Sequence, residues 1–241
     1  MHYTDGIDIY KVGGECPAGK YVEVFFDHLV VGAPIINGVE LPSRVSFSDL
    51  YNFEVFTAKT TNEAGSRDLT DYDSDSSITT GLTGLRRLGN KLIAYTDSTI
   101  YSIDYVGLPH VMNINPLREG VGNSFHNAVV ATKDVHYFIS AKNRQFYALS
   151  AEGIQPIGSD IAEFFFPAIE VTASRSPSIF GFHDPKFKEI WWVYSTGSFS
   201  NSDKWPAYTK AVVYNYETKA WYVAGVEDIH SFCQVSGFVE R

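Results

Sequence analysis

The chain has 241 residues and a formal net charge of −9, a length that all-β sandwiches and barrels use as one domain. That charge is opposite to the basic footprint of a protein that holds nucleic acid by its phosphates, so tight nucleic-acid binding is not expected. The composition, 44 % hydrophobic with 15 Tyr and 17 Phe, supplies a core and favours strands, because aromatic rings fit a pleated, half-buried surface.

The N-terminal stretch 1–14 carries one apolar run, Ile7-Asp-Ile-Tyr-Lys-Val12, which reads as a strand or an arm. Met1-His2-Tyr3-Thr4-Asp5 has neither the basic start nor the apolar stretch of a signal peptide, so a chain made in the cytoplasm is expected. No run approaches the roughly 20 apolar residues of a membrane span. Residues 20–31, KYVEVFFDHLVV, read as two short strands broken at Asp27-His28, and 44–56 continue with VSF and EVF runs. A polar link, NEAGSRDLTDYDSDSS, follows. In LRRLGNKLIAYTDSTIYSIDYVG, turns at Gly89-Asn90 and Thr96-Asp97-Ser98 set three strands at hairpin spacing. The next unit turns at Lys133-Asp134 and Lys142-Asn143. Residues 158–166, GSDIAEFFF, form the one helix candidate, with Ser159 as cap and an end at Pro167. Beyond it come SIFGF, a turn at His183 to Lys186, EIWWVYS, a polar loop over 197–204 and KAVVYNYETKAWYV.

Four such hairpin units begin near residues 28, 91, 135 and 189, an irregular period of about the size of one propeller blade, which repeats every 40 to 50 residues or so. The expectation is an all-β fold, a β-propeller of roughly four to five blades. A single domain over 1–241 would comprise units at 18–60, 79–110, 120–160 and 176–225, with 1–14 and 228–241 as closing strands. Tyr214 and Trp221, with six residues between them and a YETK turn spanning the gap, resemble the end of a kelch repeat; both rings are expected between neighbouring blades.

No catalytic constellation is readable, so the expectation is a chain that is not an enzyme and needs no cofactor. The acids Asp27, Asp49, Asp97, Asp104 and Glu189 stand at strand ends or turns, where carboxylates accept backbone N–H groups. Asp71, Asp73 and Asp75 alternate as the opening of a calcium loop does, yet Ser76 stands where such a loop needs Gly and Leu82 where it needs its bidentate Glu. A solvated acidic loop is expected there, with no metal site. The seven histidines do not gather, and Cys16 and Cys233 cannot form a metal cluster and are expected as reduced thiols. Clustered rings in the last third, Trp191, Trp192, Trp205, Tyr208 and Trp221, admit stacking on a sugar. Adjacent Trp191 and Trp192 point to opposite strand faces, so Trp205 and Tyr208 are the glycan-contact candidates.

The succession YVEVFFDHLVVG, RVSFSDLYNFE with Ser48-Asp49, an acidic loop, TIYSIDYVG with its Gly107-Leu-Pro link, FYAL and IQPIG at Ile154 to Gly158 resembles tailed-bacteriophage virion proteins, nozzle-like parts of the tail or neck that carry β-propeller domains. The resemblance implies a non-enzymatic structural subunit, located in the virion after synthesis in the host cytoplasm. It further implies tail, neck or portal-adaptor partners and a homo-oligomeric ring around or near the DNA conduit. A carbohydrate-binding propeller is the alternative, and a propeller glycosidase a more distant one.

Overall fold

In a computed structural model of the chain, residues 2–4, 9–72, 81–170, 179–195 and 208–229 are described. The N-terminal strands β1 (His2–Thr4) and β2 (Ile9–Lys11) form a small antiparallel pair. Two compact units follow from the packing of the backbone, 1–122 and 123–241.

Unit one holds two sheets. The first comprises β3 (Ala18–Phe25), β4 (His28–Ile36), the short β5 (Val39–Glu40), β6 (Arg44–Phe47) and β7 (Gly65–Asp68), paired in the order β3-β4-β6-β7 with β5 on β4. The second is a meander of β8 (Gly84–Leu88), β9 (Lys91–Tyr95), β10 (Thr99–Gly107) and β11 (Val111–Glu119). Phe25, Val30, Val45 and Phe47 of the first sheet meet Leu85, Leu92, Tyr101 and Ile103 of the second in one buried core. This is what period-2 alternation on facing sheets produces.

Unit two repeats the plan. A third meander joins β12 (Val130–Ala131), β13 (His136–Ser140), β14 (Gln145–Ser150) and β15 (Gly153–Pro156). The fourth joins β16 (Ile179–Asp184), β17 (Glu189–Tyr194), β18 (Tyr208–Asn215) and β19 (Ala220–Ile229). Its core sets Tyr137, Ile139 and Phe146 against Trp192, Tyr194 and Tyr214. Within each unit the first strands of the two sheets lie side by side, β3 by β8 and β12 by β16. The fold is thus all-β, with four blade-like antiparallel sheets of four or five strands among the described residues.

The helix runs further than expected. α1 (Ser159–Glu170) passes through Pro167. Proline removes only the bond to the Glu163 carbonyl, and Glu163 is exposed, so water can serve that oxygen. The face that matters, Ala162, Phe165, Phe166 and Ile169, is buried at i, i+3, i+4, i+7 spacing and carries the helix across the proline. The hairpin turn expected at His183 to Lys186 also sits later, because β16 extends to Asp184, whose Oδ1 accepts the Lys186 and Phe187 N–H groups at 3.0 and 3.3 Å. The EVF run at 54–56 is not a strand; its place as the fourth strand is taken by β7, in the stretch that reads as a link. Gly65 there lies under the Phe47 ring, where a Cβ would stand 2.9 Å from Cζ.

Candidate functional site

A polar network in unit one joins three distant stretches, and it begins at the first hairpin. Phe26 and Asp27, the two residues between β3 and β4, both hold positive φ, 45° and 58°. That is the backbone of a type I′ turn, which ordinarily takes Asn-Gly. An L-residue in this region costs roughly 1–2 kcal/mol, and here the turn sets the Phe26 ring outward, stacked on Tyr105 of β10 with centroids 5.3 Å apart.

The next residue, His28, faces the other way and is fully buried. Its Nδ1 lies 2.7 Å from the Ser48 carbonyl oxygen. A carbonyl only accepts, so Nδ1 carries a proton. Ser48 Oγ accepts from Leu29 N–H at 2.9 Å and donates to the Asp49 carbonyl at 2.9 Å. Asp49 Oδ1 accepts the N–H groups of Leu50 and Glu63 at 2.9 and 2.8 Å, which fixes the Glu63 backbone. The Glu63 side chain, 17 % exposed, then accepts the Tyr105 hydroxyl on Oε2 at 2.9 Å. The same oxygen lies 3.3 Å from His28 Nε2, in ion-pair range, while Nε2 makes no aligned hydrogen bond. Burial first, then the bond to Glu63 and the nearness of Glu63 and Tyr51, raise the Tyr105 hydroxyl above its ordinary range. Tyr51 also holds positive φ, 58°, donates its N–H to the Asp27 carbonyl at 3.0 Å and is 77 % exposed.

This arrangement is not a nucleophile with its base, because His28 meets the Ser48 carbonyl and not the Ser48 hydroxyl. What it presents is a carboxylate held beside outward aromatic faces, which suits recognition. Sequence reading had no route to it. His28, Glu63 and Tyr105 lie 35 and 42 positions apart, and the one signal was a histidine inside the apolar run FFDHLVV.

Tyr214 and Trp221 are direct cross-strand partners of β18 and β19, with ring centroids 4.7 Å apart. Both pack into the core that the third and fourth sheets share, and the Trp221 indole N–H donates to the Ile157 carbonyl at 2.9 Å. Trp192 is fully buried on the same face and donates to the Ala128 carbonyl, while Trp191 lies half-buried on the opposite face. There Glu189 accepts the Trp191 indole N–H at 3.0 Å and the Tyr222 hydroxyl at 2.8 Å. Asp104 pairs with Lys91 at 2.7 Å, and Asp97 Oδ1 is buried without a hydrogen bond; neither does the backbone capping expected of turn acids. Asp71 lies in the 3-10 turn Leu69–Tyr72, whereas Asp73, Asp75, Trp205 and Cys233 lie outside the described residues, as does the side chain of Tyr208. Cys16 is a free thiol, pushed up by burial. Among the described residues no three metal-ligating side chains gather, and no helix is long and apolar enough to cross a membrane.

Among the described residues the chain is all-β, and its first unit sets a carboxylate beside exposed aromatic rings. No protein-family model and no curated protein matches it. Among solved structures it is similar to a chain in the complex of S. cerevisiae Dbp5 with Nup159, Gle1, IP6 and ADP, at 12 % identity and TM-score 0.35, covering 90 % of this chain and 63 % of that one. It is also similar to the N-terminal domain of Nup159, at 11 % identity and TM-score 0.36, covering 94 % of this chain and 70 % of that one. Similarity at this level does not extend to function.

Proposed function

We propose that this chain is a non-enzymatic structural subunit of a bacteriophage tail or neck, working by packing and docking near the DNA conduit. One observation carries the reading: the pieces that resemble virion proteins serve as scaffold. Ser48-Asp49 gives its side-chain oxygens to backbone N–H groups of Leu29, Leu50 and Glu63, and TIYSIDYVG is β10, a central strand of the second sheet. On this reading its partners are other tail, neck or portal-adaptor proteins and copies of itself in a ring. Closed cyclic symmetry satisfies such heterologous contacts. Its acidity would keep a passing genome from adhering by counterion release.

Mass spectrometry of purified virions, with electron microscopy of particles labelled for this protein, tests the reading. The protein is expected at the tail or neck in fixed stoichiometry; absence from clean virions overturns it.

A second reading, a carbohydrate-binding propeller, draws on the Trp191–Glu189–Tyr222 group. An indole and a phenol tied to one carboxylate form the kind of rigid amphipathic surface on which sugar rings stack. Glycan-array binding that disappears in Trp191→Ala would favour it over the assembly reading.

A further inference from the structure

We propose that the Phe26–Tyr105–Glu63 surface of unit one binds a guanidinium group, an arginine side chain presented by a partner protein. Three observations converge on it. The first is a carboxylate held on one side by its own chain. Glu63 Oε2 accepts the Tyr105 hydroxyl at 2.9 Å and lies 3.3 Å from the buried His28 Nε2, while the Glu63 backbone N–H is fixed on Asp49 Oδ1 at 2.8 Å.

The second is the chemistry at the open side. Glu63 Oε1 makes no hydrogen bond to the described residues, and His28 is the one ion-pair partner of this carboxylate among them. The Tyr105 ring, whose hydroxyl this carboxylate accepts, carries the Phe26 ring, 42 % exposed, stacked on it, and Tyr51 is more exposed still. A planar guanidinium stacks on aromatic faces, is weakly hydrated and brings its donors in a fixed fork, whereas an ammonium is a compact, strongly hydrated point charge. Stacked rings beside a carboxylate match the first and not the second. The net charge of −9 and the exposed Asp27 beside Phe26 add attraction for a cation.

The third is the backbone. Phe26, Asp27 and Tyr51 all hold left-handed φ, and the Tyr51 N–H bonds the Asp27 carbonyl, so two strained segments brace each other and point both rings outward. Strain of this kind persists where surrounding structure over-determines it, and it concentrates at ligand clamps.

The inference rests on the assembly reading only for the source of the arginine. The test uses a small probe and stands apart from it: failure here leaves the virion assignment untouched, and absence from virions leaves the site untouched. N-acetyl-arginine amide is titrated into the intact 15N,13C-labelled protein, with N-acetyl-lysine amide and the neutral isostere N-acetyl-citrulline amide as comparisons. Saturable shifts are expected at the Phe26, Tyr51 and Tyr105 ring signals with arginine, weaker ones with lysine and none with citrulline. Glu63→Gln should weaken binding about tenfold or more, the scale of a lost charged hydrogen bond. Phe26→Leu, which keeps an apolar contact on Tyr105 but removes the π face, should weaken it measurably and serves if Glu63→Gln fails to fold. Equal shifts from citrulline and arginine overturn the proposal. So does undiminished binding in both variants, or the absence of any saturable response to arginine.

Discussion

Trp221 and His28 show how differently two side chains can be legible. Trp221 is readable because its constraint is local: with six residues between it and Tyr214 across a tight turn, the two become cross-strand partners. Its indole stacks on Trp192 at 5.9 Å and 14°, lies 4.9 Å from Phe146 and donates to the Ile157 carbonyl. Replacing it by alanine removes a large ring from the core of unit two and leaves that carbonyl unserved. Trp221→Ala should therefore cost about 3–5 kcal/mol in denaturant unfolding, and Trp221→Phe clearly less. A loss below about 1 kcal/mol would contradict this packing. His28 was not readable as a functional residue, because its partners Ser48, Glu63 and Tyr105 arrive from three segments that only the tertiary fold brings together. Glu63 in particular stands in a polar link with no periodic pattern to mark it.

At the scale of elements, hairpins with apolar strands and turn residues were legible, and short polar strands were not. β7, Gly-Ser-Arg-Asp, has no alternation to read; it is a strand because β6 offers an edge, with Arg44 opposite Asp68 in both backbone register and side-chain pairing. The helix was legible at its start, where Ser159 precedes Asp160 in the first turn, and misread at its end. Proline is a reliable stop only when nothing beyond it is worth burying, and Ile169 is buried beyond Pro167. The helix thus tolerates a missing bond at the Glu163 carbonyl. Pro167→Ala restores that N–H and removes the ring's clash with the preceding turn. It should raise the stability of the protein by about 1–3 kcal/mol, the upper end being the interior helix cost of proline. Circular dichroism across a denaturant titration checks it. An unchanged or lowered midpoint would mean that the helix has already relaxed around the proline.

At the scale of the whole molecule, the two units carry different titrating groups, which gives each its own pH dependence. In unit one, Glu15 accepts the Thr57 and Phe56 N–H groups at 2.7 and 2.8 Å, which hold it below the usual carboxylate range, and the Arg44 bond does the same for Asp68. Glu23 runs the opposite way, raised by burial. In unit two, burial lowers His183, against the pull of Asp184 and with the help of Lys188. Its Nε2 lies 3.1 Å from the Tyr216 hydroxyl. A group lowered on folding binds fewer protons in the native state than in the unfolded one, so stability rises with pH across its titration. For His183 that means loss of stability as pH falls through the ordinary imidazole range, near 6.5. For Glu15 and Asp68 the loss comes only as pH falls through the carboxylate range, near 4, where Glu23 offsets part of it. All four tryptophans lie after residue 123, so their fluorescence reports on unit two alone. The tryptophan-detected unfolding midpoint should therefore fall between pH 7 and pH 5.5, and the fall should shrink in His183→Gln, which keeps a polar group facing Tyr216 without the titration. If the variant shows the same slope as the parent chain, His183 is not the group that sets it.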